Sequence, residues 1–343
     1  MRVVSLFSGA GGMDVGVKNA GFKIIGASEI DSNACETYRK NHPETELIEG
    51  DINLNIDRIT SFKDIDLVVG GPPCQGFSVA GKMDLSDPRS QLVFAFCQVV
   101  EKLKPKAFIM ENVKALGVLM KFEKVREEII RRMEGNGYQV TLNVLNAKDF
   151  GVPQSRERVF FTGVKQNHNP VLIHHYNEYK KETVSLRQAI QHLGRAGSKN
   201  NANKTKAIIS LAKNPILRKS PYAGMMFNGQ GRPLNPDGWS STLPASMGGN
   251  RTPIIDEDHL YDGKESWIEE HHKKILSGQL INNSVDVPSR LRRLTVNEAS
   301  ILQTFPSNYK FTGTPSSVFR QIGNAVPCKL AEVVALAVKK AIS

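Results

Sequence analysis

The chain has 343 residues, 40% hydrophobic and 23% charged, a balance that excludes wholesale disorder and leaves room for one large domain plus a smaller one. Its longest apolar runs, such as Leu67-Val68-Val69 and Ala107-Phe108-Ile109-Met110, fall far short of the ~20 residues of a membrane span, and the first strand breaks into glycines before a signal-peptide core can form. The net charge of +11 is uneven: residues 1–170 carry 22 basic and 21 acidic side chains, residues 171–343 carry 23 and 13, and residues 185–255 carry ten basic against the single acid Asp237, which points to a polyanionic partner.

Taken in order, residues 3–7 read as a short buried strand and 13–20, after the glycines, as a helix. Residues 23–28 form a second strand ending at Glu29, followed by helix over 33–41. Strands are predicted at 47–48 and 65–69, an amphipathic helix at 90–103, and a fifth strand at 107–110 ending at Glu111-Asn112. A helix over 124–133 and strands over 139–146 and 158–164 complete the first half. Strands separated by single helices imply an open, mostly parallel, Rossmann-like α/β sheet, in which ligands sit at the carboxyl ends of the strands. From about 166 to 290 the chain turns rich in Asn, Gly, Pro and Lys, and reads as a second, smaller, irregular domain with a flexible basic loop at 194–206. Helix returns at 295–303 and 329–342.

Three stretches carry chemistry. Gly9-Ala10-Gly11-Gly12 opens a helix after a strand, as a backbone approaching a nucleotide-like ligand requires. The spacing lacks the third glycine of the dinucleotide fingerprint, which argues for a nucleoside cofactor without a pyrophosphate, with Glu29 at the next strand end to take its ribose hydroxyls. Gly70-Gly71-Pro72-Pro73-Cys74-Gln75-Gly76-Phe77-Ser78 presents a cysteine on a stiff polar loop, where a nucleophile belongs. Cys35, Cys97 and Cys328 read as small core hydrophobes. Without a Cys-x-x-Cys pair, neither a disulfide framework nor a metal site is expected, and a reducing cytoplasm is the natural setting. Gln154-Ser155-Arg156-Glu157-Arg158 would aim Gln154, Arg156 and Arg158 one way if extended.

These motifs, in this order, resemble those of the DNA (cytosine-5)-methyltransferases of bacterial restriction-modification type. The resemblance runs through Phe7 to Gly12, Glu29, Asp51, the Pro-Cys loop, Glu111-Asn112-Val113, Gln154 to Arg158, Arg293-Leu294-Thr295 through Glu298 to Phe305-Pro306, and Gln321-Ile322-Gly323-Asn324-Ala325-Val326-Pro327. It implies a catalytic and cofactor domain of 1–170 plus 313–343, a target-recognition domain of 171–290 and a hinge of 291–312. It also implies S-adenosylmethionine as cofactor, double-stranded DNA as substrate, and methyl transfer to C5 of a flipped-out cytosine through a covalent Cys74 adduct.

The resemblance further assigns catalysis to Cys74, Glu111, Arg156 and Arg158. Cofactor contacts fall to Phe7, Gly9, Gly11, Gly12, Glu29, Ile30, Asp51, Ile52, Pro72, Leu92, Asn324 and Val326. The recognition segment and the catalytic loop offer Ser78, Arg232, Thr242, Asn250 and Arg251 to DNA, with 79–90 as a lid. The expected enzyme is a cytoplasmic, nucleoid-associated monomer that uses no metal and touches no membrane, with any cognate restriction endonuclease acting separately. The alternatives are a tRNA cytosine-5 methyltransferase and a catalytically silent DNA-binding homologue.

Overall fold

The computed structural model describes residues 1–73, 88–169, 175–203 and 207–343. In chain order the first half holds β1 (Arg2–Leu6), α1 (Gly12–Asn19), β2 (Lys23–Glu29), α2 (Ser32–Asn41), β3 (Glu46–Glu49), α3 (Ile52–Ile59), β4 (Leu67–Gly70) and α4 (Pro88–Leu103). It continues with β5 (Ala107–Val113), α5 (Lys114–Val118), α6 (Glu123–Gly135), β6 (Tyr138–Asn146) and β7 (Glu157–Lys165). The seven strands make one sheet in the order β3-β2-β1-β4-β5-β7-β6. The first five in that order pair in parallel, while β7 runs antiparallel to both neighbours. The sheet is thus mostly parallel, as predicted.

The later chain is more regular than its composition predicts. It holds α7 (Leu186–Ile190), β8 (Leu211–Ile216), β9 (Met225–Phe227), β10 (Ile254–Asp256), α8 (Glu257–Asp262) and α9 (Trp267–Leu276). Then come β11 (Leu291–Arg293), α10 (Val296–Leu302), α11 (Pro315–Asn324) and α12 (Cys328–Ile342). The loop expected to be flexible over 194–206 is tied down where it is described. Asn201 is fully buried, donates to Gly194 O and Glu298 Oε1, and accepts from the Thr295 hydroxyl. No helix among the described residues is long and apolar enough to cross a membrane.

Alternation along each strand supplies both faces of the sheet. Val3, Ile24, Leu67 and Ile109 pack beneath α1 and α12, and Val4, Leu6, Val68, Phe108 and Met110 beneath α4 and α6. Helix α12 lies so close to α1 that a Cβ on Gly16 would stand 2.3 Å from Cys328 O. A third core joins Leu186, Ile190, Leu243 and Ile255 to Leu294, Leu302, Phe319 and Ile322, so the later chain packs directly onto the segments that return to the sheet.

Candidate active site

A cavity of about 550 Å³ opens at the carboxyl ends of β1, β2, β4 and β5. Its floor is the turn after β1. Phe7 takes φ +53, a left-handed conformation that costs a non-glycine residue about 1–2 kcal/mol and is kept mainly at functional sites. Gly9 follows at φ +54, and a Cβ placed there would meet nothing within 4 Å, so its bare backbone faces open space. The Glu29 carboxylate holds this turn from the next strand. Oε2 accepts from Gly9 N at 2.7 Å, and Oε1 from Ile30 N and Asp31 N at 2.9 and 2.8 Å. Ile30, 67% exposed on the rim, is an apolar side chain with room for a ligand to cover it.

The far wall carries the polar groups. Glu111 lies one residue beyond the predicted strand end, inside β5, because pairing with β7 extends that strand to Val113. Its Oε1 meets Arg158 Nε at 2.9 Å, with both side chains nearly buried. Burial pushes the Glu111 carboxyl up, while Arg158 and Arg156 pull it down. A Cβ on Gly71 would stand 3.0 Å from Glu111 Oε2, so that glycine leaves the acid its place. Asn112, unmarked in the sequence beyond its motif, donates to Pro72 O at 3.0 Å and fixes the start of the Pro-Pro loop. Cys74 and Ser78 lie outside the described residues, as does the expected lid up to residue 87.

Of the three residues that alternation would aim one way, Arg156 and Arg158 both line the cavity and Gln154 does not, and the ion pair with Glu111 is made by Arg158. Gln154 and Arg156 precede β7 and are buried as a bracket. Arg156 donates to Leu243 O at 3.0 Å and to Gly323 O at 2.8 Å, and Gln154 donates to Gln303 Oε1 and accepts from Leu243 N. Burial, then the neighbouring Arg158, lowers Arg156 to about 9. These bonds bring 242–245 and 323–326 to the cavity, where Asn324 and Val326 line it with Thr242, Pro244 and Arg320.

The other predicted cofactor residues divide. Phe7, Gly9, Gly12, Glu29, Ile30 and Pro72 line the cavity. Gly11, Asp51, Ile52 and Leu92 are not among its lining residues. Gly11 faces His42 and Tyr309 instead. Asp51 caps α3 by accepting from Asn53 N, Ile52 is buried beside it, and Leu92 packs on the core under α4.

A second, open cleft of about 830 Å³ lies between Ser155-Glu157 and the later chain. Arg232, Thr242 and Arg251 line it with Gln230, and so do Tyr222 and Trp239, which carry no mark in the sequence. Asn250 is not among the lining residues. Its carbonyl accepts from Gly231 N, and a Cβ on Gly229 would stand 2.4 Å from that oxygen. Among the described residues no group of three or more His, Cys, Asp or Glu could hold a metal ion.

The model of the family described as C-5 cytosine-specific DNA methylase matches residues 1–340. The chain belongs to that family. It is a DNA cytosine-5 methyltransferase, which decides against the RNA-directed alternative. The type II methyltransferase M.NgoPII of Neisseria gonorrhoeae is 32% identical over 353 residues, covering 99% of this chain and 96% of that protein. M1.HphI of Haemophilus parahaemolyticus is 35% identical over 351 residues, covering 99% and 87%. Among solved structures, the S. pombe Dnmt2 methyltransferase superposes with a TM-score of 0.68 at 20% identity, covering 99% of this chain and 98% of that one. The Entamoeba histolytica methyltransferase EhMeth reaches 0.66, also at 20% identity, covering 99% and 97%. At these identities the likeness is one of fold.

Proposed function

We propose that the chain is a site-specific methyltransferase acting on double-stranded DNA, with S-adenosylmethionine in the 550 Å³ cavity and the target cytosine against Glu111 and Arg158. The observation that carries this reading is the meeting, in one cavity, of the bare Gly9 turn held by Glu29 and the Glu111–Arg158 pair. The cavity has the size of a small-molecule site and offers apolar cover from Phe7 and Ile30 beside a carboxylate at Glu29, which suits a nucleoside. Bound there, the cofactor supplies a methyl group as an electrophile.

The chain's own residues prepare the base. Cys74, as thiolate, adds to C6 of the cytosine, and the ring electrons move toward N3 and O2 while C5 becomes nucleophilic. Glu111, whose burial favours the protonated acid, shares its proton with N3, and Arg158 meets the charge at O2. After C5 has gained the methyl group it loses its proton, and the electrons left behind expel Cys74 and restore the ring. Arg156 orients the wall by holding Leu243 and Gly323. C5 is buried in a stacked duplex, so the base is flipped out at a cost of a few kcal/mol.

The duplex docks in the 830 Å³ cleft, and protection of host DNA beside a separate restriction endonuclease is its biological setting. The test is covalent capture. Duplex DNA carrying 5-fluorocytosine at the target, incubated with protein and cofactor, yields a denaturation-resistant adduct that Cys74→Ser does not form. Absence of adduct with the wild type at its methylated site rejects the mechanism.

A further inference from the structure

We propose that Tyr309 is a positioning residue for the cofactor-binding turn, holding the Ala10 carbonyl from behind with its hydroxyl while His42 holds Tyr309. The inference rests on the reading that the 550 Å³ cavity receives S-adenosylmethionine. Ala10 lies in the middle of the turn and lines the cavity on one side, and on the other its carbonyl oxygen accepts from the Tyr309 hydroxyl. His42 Nε2 lies 3.0 Å from the same hydroxyl oxygen. A tyrosine has one proton to donate, and here it goes to Ala10. His42 is therefore the donor of the second bond, as the neutral tautomer protonated at Nε2. Its Nδ1 is buried without a partner, as a bare acceptor can be at modest cost, and burial, then Lys18, lowers the ring to about 4.

The surroundings fit a device and not an incidental contact. A Cβ on Gly11 would stand 2.5 Å from His42 Nε2 and 2.7 Å from the Tyr309 oxygen, so the turn accepts no side chain at that position. The His42 ring stacks on Tyr38, with centroids 4.4 Å apart. The Tyr38 hydroxyl donates to Asp14, which also accepts from Ser5 beneath the turn. Tyr309 is fixed from its own side. Asn41 donates to Lys310 O and accepts from Lys310 N, both at 3.0 Å, and Thr312 N donates to the Thr37 hydroxyl. Phe305 and Phe311 pack against the Tyr309 ring, so packing does not depend on its hydroxyl.

Tyr309→Phe isolates that hydroxyl. One neutral hydrogen bond holding the turn corresponds to about 3- to 10-fold in cofactor affinity. Titration calorimetry with S-adenosylmethionine on the full chain should show Kd raised by that factor. Steady-state assays should show KM for the cofactor raised alike, with kcat at saturation and KM for DNA within twofold of wild type. His42→Leu should move Kd the same way, and His42→Gln, which keeps an N–H in reach, should restore it. Phe311→Leu, a packing change only, should lower the melting temperature and leave Kd alone. A Tyr309→Phe protein that binds the cofactor as the wild type does, or that loses kcat with KM unchanged, overturns the proposal. A wild type that fails to bind the cofactor overturns the underlying reading instead.

Discussion

Glu111 sits where two demands conflict, since burial favours its neutral acid and Arg158 at 2.9 Å favours its carboxylate. That balance suits a group that must share a proton with a base and take it back. Glu111→Gln keeps the shape and loses the proton exchange, so kcat should fall by about 10²–10⁴ with cofactor Kd unchanged in calorimetry. Glu29→Ala should weaken cofactor binding first, because it removes the acceptor of Gly9 N. The reverse ranking would exchange the two roles. Behind the turn, two buried groups act on stability with opposite sign. Burial raises Asp14 from 3.8 to about 6 against its bonds from Ser5 and Tyr38. Between those values the folded protein holds a proton that the unfolded chain has released, so stability falls as pH rises through the window, by about 3 kcal/mol in all. His42, lowered from 6.5 to about 4, contributes fully above pH 6.5 and loses its contribution as pH falls toward 4. Urea denaturation from pH 4 to 7 should therefore show Asp14→Asn gaining on the wild type as pH rises, and His42→Leu losing ground. Curves parallel to the wild type would remove both assignments.

At the scale of elements, the sequence is most legible where one signal dominates. The buried runs that become β2 and β4 end in Glu29 and Gly70, β1 leads through Phe7 and Ser8 into Gly9, and all of these residues line the cavity. Helix α3 escaped because Asn and Asp dilute its propensity, although Ile52, Ile56 and Ile59 mark one helical face. Helix α11 begins at a Thr314 cap with Pro315 in its first turn and ends in Gly323-Asn324, residues that the sequence marks as a motif with no helical signal of their own. Helix α9 carries its own signal, with Ser266 accepting from Glu269 N, but the surrounding Asn, Gly and Lys composition masked it. The wiring of Gln154 and Arg156 to Leu243, Gln303 and Gly323 had no local signal, because those partners are 87 to 167 residues away. The packing of α12 on α1 makes a prediction of this scale. Gly16→Ala would gain about 1 kcal/mol in helix propensity, yet its methyl meets the backbone at Cys328 O and Glu332 N, which cannot rotate away. Overpacking of this kind costs about 1–3 kcal/mol, so the clash wins and the melting temperature should fall. An unchanged or raised melting temperature would mean that α12 slides freely on α1.

Across the whole molecule, charge and packing divide differently along the chain. The ten basic residues of 185–255 face one acid, and Arg232 and Arg251 stand in the cleft beside Gln230. Binding to duplex DNA should therefore weaken steeply with salt, and Arg232→Ala or Arg251→Ala should cost about 1–3 kcal/mol at one base pair if the side chain reads it. A phosphate contact would instead lower affinity evenly across sequences. Packing constrains how specificity can be transplanted. The pair β10–β11 joins 254–256 to 291–293, Arg290 bonds Asp256, and Arg292 spans Glu257 and the fully buried Glu298. Replacing 171–290 alone separates β10 from β11 and Glu257 from Arg292, and breaking one such buried pair typically costs about 3–5 kcal/mol. A graft of 171–293 from a relative, chosen to keep arginines at 290 and 292, carries the strand pair and its ion pairs together. The longer graft should fold with a melting temperature near the wild type and methylate the relative's target, whereas the shorter one should melt lower. If methylation mapping finds the original target retained by the folded longer graft, recognition lies outside this segment, and the loop after Cys74 becomes the place to look.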